Sequence, residues 1–323
     1  MSQKGINYAK YGYIFSIPFV LTFLVFSLYP LIYTSVIGFT DLRGIMKSSI
    51  NILENPFQNF QLILKNPTFK TSLSNTFLIW LMNFIPQITL ALLLTAWFTN
   101  RNTKVKGQGL FKIMVYMPNI ITAASIAILF YSLFGYPKGP INDLLMKLEI
   151  TVGPQNFHQQ RWTARWIVAF IQFWMWYGNT MIILIAGVLG INPTLFEAAE
   201  IDGASSTQIF FLVTLPRLRT IILYTLVTSM IGGLQMFDIP KLFLLGGPDN
   251  ATLTTSVFIY NQAFSGSYLY NRAAAASLLM FMIIVVLSSF LFYLLRDKDE
   301  IKINKQIRAA NKAYKAAKKE AQQ

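Results

Sequence analysis

Six long stretches of this sequence contain no Asp, Glu, Lys or Arg: Tyr11 to Thr40, Thr71 to Asn100, Ile113 to Pro137, Trp166 to Phe196, Thr220 to Phe237 and Ala273 to Leu295. A helix that crosses a bilayer needs about 20 mainly apolar residues, because the hydrocarbon layer is ~30 Å thick and each residue rises ~1.5 Å. Every stretch reaches or approaches that length. With no water in the layer, the backbone must satisfy its own hydrogen bonds, so the stretches are expected to be helices despite their β-branched and aromatic residues. The fold class that follows is all-α, a polytopic membrane protein with six transmembrane helices. Only 12% of the residues are charged, which agrees with a chain whose main solvent is lipid.

Six crossings put both termini on one side, and the basic residues say which. Lys4 and Lys10, then Arg101, Lys104, Lys106 and Lys112, then Arg217 and Arg219, then the basic residues of the tail place 17 of the 27 Lys and Arg on a single side. The positive-inside rule makes that side cytoplasmic. The same rule explains the net charge of +14 without nucleic acid, which is excluded as a partner. The first stretch is longer than a signal-peptide core, contains Pro18 and Pro30 and has no small-residue cleavage pattern after it, so it is expected to remain in the protein. The Lys- and Ala-rich tail from Arg296 is expected to be a solvated helix or a frayed end, with anionic membrane lipid as a contact.

Several chemistries fall away. The chain has no cysteine, and its one histidine, His158, is expected in solvent, so no metal site is assigned. No Gly-Lys dipeptide occurs, so the chain lacks a glycine-rich phosphate cradle; no catalytic triad or acid–base constellation stands out either. The apolar stretches carry no ionisable residue of the kind that marks proton relays. Energy for any transport must then come from a partner, and no cofactor is expected in this chain.

One segment stands out between the fourth and fifth spans, on the basic side. It reads Glu197-Ala-Ala-Glu-Ile-Asp-Gly203, followed by Ala204 to Leu215 and Pro216. Pro193 and Thr194 precede a helix-forming start, with Glu197, Glu200 and Asp202 near the positive end of its dipole. Gly203 permits a sharp turn, and a second helix is expected up to Leu212, stopped near Pro216. Ala198, Ala199, Ile201, Ala204, Phe210 and Phe211 would form a small apolar knob flanked by acids.

The spacing of Glu-Ala-Ala, Gly203 and Val213-x-Leu215-Pro216 resembles the EAA loop of permease subunits of bacterial ABC importers, with Val213 where Ile is usual. The stretches Phe237 to Pro248 and Thr254 to Phe264, together with Ser16-Ile-Pro-Phe near the start, resemble carbohydrate-uptake permeases of the maltose type. The resemblance implies a type I ABC importer permease fold in a bacterial cytoplasmic membrane and the import of a sugar or oligosaccharide. It divides the chain into a cytoplasmic N-terminus (1–10), a six-span permease domain (11–295) with its coupling loop at 193–216, and a basic cytoplasmic tail (296–323).

The same resemblance makes Glu197, Ala198, Ala199, Asp202, Gly203 and Pro216 the residues that couple to a partner ATPase. It implies a second homologous permease, an ATPase dimer carrying ATP and Mg, and an extracytoplasmic sugar-binding protein. Gln172, Trp176 and Asn179 share one helical face on the fourth span, and Ser229, Gly233 and Phe237 repeat that spacing on the fifth. In maltose-type permeases these positions line the substrate path. A second reading of the same residues stays open: Trp174, Trp176 and Tyr177 as an interfacial aromatic belt, and Gly232-Gly233 as a site of close helix packing. Asp238 either meets the binding protein or ends the span. A permease for another polar solute such as glycerol phosphate is the alternative within the class; a secondary transporter or a structural membrane protein is the alternative outside it.

Overall fold

The protein is described from a computed structural model, covering residues 9–44, 50–101, 106–266, 268–295 and 306–311. The expectations for Lys4, Lys104 and the tail at 296–305 and 312–323 fall outside these residues. The described residues form helices α1 (Ala9–Phe23), α2 (Tyr29–Ile37), α3 (Gln58–Lys65), α4 (Pro67–Phe98), α5 (Gln108–Tyr116), α6 (Ala123–Leu133), α7 (Pro140–Lys147), α8 (Arg161–Leu189), α9 (Pro193–Ile201), α10 (Ser206–Gln208), α11 (Leu215–Arg217), α12 (Arg219–Leu234), α13 (Asp238–Leu244), α14 (Thr255–Phe264) and α15 (Tyr270–Leu295). Extended pairing among them is limited to a bridge between Thr40 and Ile52.

The chain divides into two units. The first comprises residues 1–73 and 254–283. Here Leu24–Leu28 widens into a π-helical turn just ahead of Pro30, whose missing N–H breaks the regular ladder. A buried amide network orders the rest of this unit. Asn59 Nδ2 donates to the Gly38 and Thr40 carbonyls at 2.9 Å each, and Asn271 Nδ2 donates to Thr40 O and to Asn59 Oδ1, both at 3.2 Å. Phe69 and Phe258 pack beneath it with Ile63, Ala275 and Ala276.

The second unit comprises residues 74–253 and 284–323. Its long helix α8 has 29 residues, about 43 Å at ~1.5 Å per residue. Arg165, on its first turns, donates from Nη2 to Asn75 Oδ1 at 2.7 Å and from Nε to Ala251 O at 2.9 Å. Asn75 Nδ2 in turn donates to the carbonyls of Asn250 and Leu253. One arginine and one asparagine thereby fasten the segment that precedes α14. Large apolar side chains such as Ile85, Phe170 and Tyr224 are exposed on these helices, as lipid-facing surfaces require.

Among the described residues, five helical stretches are long and apolar enough to cross a membrane, beginning with Tyr11–Ile37. The third expected span is broken: Gln108–Ile120 and Ala123–Leu133 meet at 92°. Ile121 and Thr122 are extended, and the Thr122 side chain caps α6 by accepting from Ser125 N. Pro118, in a turn of 3-10 helix just before, removes another backbone donor. The straight helix expected through Ile113 to Pro137 is corrected to this bent pair. It still crosses once. Arg101, beyond the end of α4, pairs with Glu197 and Glu200 beyond the end of α8, so these two ends lie on the same side. The start of α8 lies some 43 Å away, and the chain from Arg101 to Arg161 must pass from one side to the other.

His158 is also corrected. Rather than standing in solvent, its ring stacks on Tyr131 at 4.5 Å and meets the edge of Phe243 at 5.5 Å. Burial lowers its pKa below the ordinary value, and its Nε2 is buried without a partner.

Candidate functional site

The segment between α8 and α12 is built from local signals. Asn192 caps α9 by accepting from Thr194 N, with Pro193 at the first position, where its missing N–H is no loss. The helix ends at Asp202, and Gly203 reverses the chain at φ +78°, a conformation glycine adopts without steric penalty. Ser205 then opens a capping box: its Oγ accepts from Gln208 N at 3.3 Å and the Gln208 side chain accepts from Ser205 N at 2.8 Å. The expected second helix does not stop near Pro216. It widens to a π-helical stretch, Ile209–Thr214, which absorbs the proline as the same device does ahead of Pro30. The helical path resumes through α11 to Arg217 and, after Leu218, continues as α12.

This loop presents an exposed apolar tip. Ile201 is 86% exposed; Glu197, Ala198, Asp202, Gly203 and Pro216 are exposed too, while Ala199 is half-buried. Of the remaining apolar knob, Phe211 is exposed and Ala204 and Phe210 are half-buried. Arg101 steadies α9 from the neighbouring basic loop. It lies 3.8 Å from both Glu197 and Glu200 and 5.9 Å from the centre of the Phe196 ring. Such exposed pairs contribute at most about 1 kcal/mol each. Their value is geometric, because they fix which face of α9 turns away from the chain.

Two cavities lie at successive levels along α8. The one near the loop has a volume of about 710 Å³ and is walled by Trp97, Phe98, Arg101, Lys112, Phe196 and Phe210, among others. The other, of about 330 Å³, lies further along α8 between α4, α8, α12 and α13. Ala91, Met181, Leu184 and Ile185 form a buried apolar layer at the level between them. The smaller cavity is polar for a site among membrane helices. Its wall holds the amides of Asn83, Gln87, Gln172, Asn179 and Gln235, the hydroxyls of Thr180, Thr225, Thr228 and Ser229, and the indole of Trp176. Gln87 Nε2 donates to Thr180 Oγ1 at 2.7 Å. The Thr225 hydroxyl, 3% exposed as a residue, has no partner.

Five of the six residues expected along a substrate path, Gln172, Trp176, Asn179, Ser229 and Gly233, fall in this one wall. Phe237 does not; it is the half-buried residue at the break between α12 and α13. The paired glycines have different surroundings. A Cβ on Gly233 would stand 2.0 Å from Cδ1 of Trp80, so close helix packing accounts for that glycine, whereas Gly232 faces open space. Trp174 packs on Phe130 at 5.7 Å, while Trp176 is exposed in the cavity wall.

Sequence reasoning missed Arg101 as the partner of α9, and Asn83 and Gln87 as cavity residues. The latter pair was findable. Two amides four residues apart in an otherwise apolar stretch must turn one face towards something polar. Arg101 was legible only as positive charge, because its pairing depends on how α4 and α8 align.

The described residues thus form a bundle of broken and unbroken apolar helices with an exposed helical loop, and similarity to known proteins supplies the class. The sequence model of the family described as binding-protein-dependent transport system inner membrane component matches residues 62–299, and the chain belongs to that family. Lactose transport system permease protein LacF of Rhizobium radiobacter is 32% identical over 89% of this chain and 94% of its own length. Arabinooligosaccharides transport system permease protein AraP of Bacillus subtilis is 32% identical over 81% of this chain and 82% of its own. A crystal structure of a bacterial ABC transporter that imports the acidic polysaccharide alginate contains a chain of similar fold, with a TM-score of 0.73 at 23% identity, covering 88% of this chain and 94% of that one.

Proposed function

We propose that this chain is the non-catalytic, membrane-spanning permease subunit of an ATP-driven importer for a sugar or oligosaccharide. The observation that carries the cargo is the wall of the smaller cavity. Sugars are held by hydrogen bonds from amides and hydroxyls and by stacking of their apolar faces on aromatic rings, and the wall supplies those groups with Trp176 among them. Relatives named for lactose and arabinooligosaccharides support the same reading. Glycerol phosphate would call instead for cations, which the wall does not contain.

The α9 loop is the coupling element in this reading. Glu197, Ala198 and the half-buried Ala199 on α9, with Asp202 and Gly203 at its turn, form the docking segment and Pro216 its root, and Ile201 is the apolar tip that enters a cleft on an ATPase subunit. ATP and Mg belong to that ATPase dimer. A second homologous permease completes the path, and a binding protein delivers cargo from outside; a relative of similar fold has been crystallised in complex with an alginate pentasaccharide-bound periplasmic protein. The basic loop side is cytoplasmic, and both termini are on it. Residues 11–295 act as the permease domain, between short terminal segments.

A mild-detergent pull-down of the tagged chain from its native membranes tests the assembly, with mass spectrometry and an ATPase assay as readouts. Recovery of an ATPase and a second permease is expected. A chain recovered alone or only with itself would overturn the proposal in favour of a secondary transporter or structural protein.

A further inference from the structure

We infer that the carboxylate of Asp238 makes the smaller cavity a charge filter, which admits uncharged glycans and turns away uronate-type, anionic ones. The inference rests on the reading of that cavity as the cargo path. Asp238 starts α13, is exposed, and is the one ionisable residue among the described residues that line the cavity. Among the described residues no Lys, Arg or His shares the wall, and Lys241, one turn further along α13, stands outside it. The other polar side chains there are amides, hydroxyls and the Trp176 indole. Such groups replace the hydration of a neutral sugar hydroxyl one for one. A carboxylated sugar gains no counter-charge in exchange for its water and meets a like charge. The surrounding apolar helices lower the local dielectric and extend the reach of that repulsion. Fold alone does not decide cargo charge, since a chain of similar fold serves in an importer of acidic polysaccharide. The wall does.

The natural absence of cysteine gives a direct test. Ser229→Cys places a single thiol in the cavity wall of the chain, which is kept in membranes with its partner subunits. The thiol is reacted with a trimethylammonium-ethyl methanethiosulfonate and, separately, with the sulfonatoethyl reagent, at rest and during ATP turnover. The ratio of the two rates is divided by the same ratio for a small thiol in water. We expect the cationic reagent to be favoured roughly tenfold, the preference to vanish with Asp238→Asn and to invert with Asp238→Lys. A normalised ratio near one, a ratio unmoved by Asp238→Asn, or no labelling in either condition overturns the inference. Binding-protein-stimulated ATP hydrolysis after labelling separates the two layers of the argument. Blocked stimulation without charge preference overturns the filter and leaves the cargo path standing; charge preference with untouched stimulation overturns the cargo path and the filter with it.

Discussion

Gly203 is where the coupling proposal can be broken with least ambiguity. Its φ is +78° and a Cβ placed on it meets no heavy atom within 4 Å, so the chain itself offers no steric objection to a side chain. What a substitution costs within this chain is therefore conformational, about 1–2 kcal/mol for an ordinary residue held in the left-handed region. It is less for Asn, which tolerates that region, and more for a β-branched residue. A penalty of that size shifts the balance between the turned and unturned loop roughly 5–30-fold while leaving the packed helices untouched. Membrane abundance of Gly203→Asn, Gly203→Ala and Gly203→Val should thus stay near that of the parent. Cargo uptake and its coupling to ATP hydrolysis should fall in the order Asn, Ala, Val if the turn alone matters. Should Asn prove as damaging as Val, the space beside Gly203 is filled by the partner and contact dominates. Normal uptake with normal stimulation in Gly203→Val would refute the assignment of α9 as the coupling element.

Three further outcomes follow from packing and burial. In Gly178→Leu the new Cβ would stand 2.2 Å from the Val115 carbonyl oxygen; overpacking of about 1–3 kcal/mol or more should remove most folded protein, read by fluorescence-detected size exclusion in detergent. Arg165→Met leaves Asn75 Oδ1 and the Ala251 carbonyl without their donor and should destabilise by about 1–3 kcal/mol, seen as a lower melting temperature that Arg165→Lys, with its single point charge, does not fully restore. Burial lowers the His158 pKa from its ordinary 6.5, so the unfolded chain takes up the proton first and stability should be full above that value and fall as pH drops through it. Thermal melts of the parent across that window should show the loss, and those of His158→Phe should be flat by comparison.

How much of this was legible in the sequence depends on the length scale of the physics. The spans follow from lipid excluding charge, a rule that acts on each residue alone, so the six windows located the membrane helices well. The loop likewise follows from neighbours: Asn192 and Pro193 start α9, Gly203 turns it, and the Ser205–Gln208 box restarts the chain. The two failures within the helices have one cause. A proline's missing donor can end a helix, bend it or be absorbed by a π turn, and which occurs depends on what packs alongside. At Pro216 the widened turn lets Thr214 Oγ1 reach the Ile209 carbonyl at 3.3 Å and the helix survives. After Pro118 the chain is extended at Ile121 and Thr122 instead, and Asn119 Nδ2 binds the Met175 carbonyl of α8 at 3.2 Å, holding the break against the helix whose face carries Gln172, Trp176 and Asn179. That contact spans 56 positions in the chain, and no local pattern announces it. The break bears on the cavity, because Ala123, the first helical residue after it, lies in the wall shared with Trp176 and Asp238. The feature least visible in the sequence is therefore the one that brings the third span to the proposed cargo path.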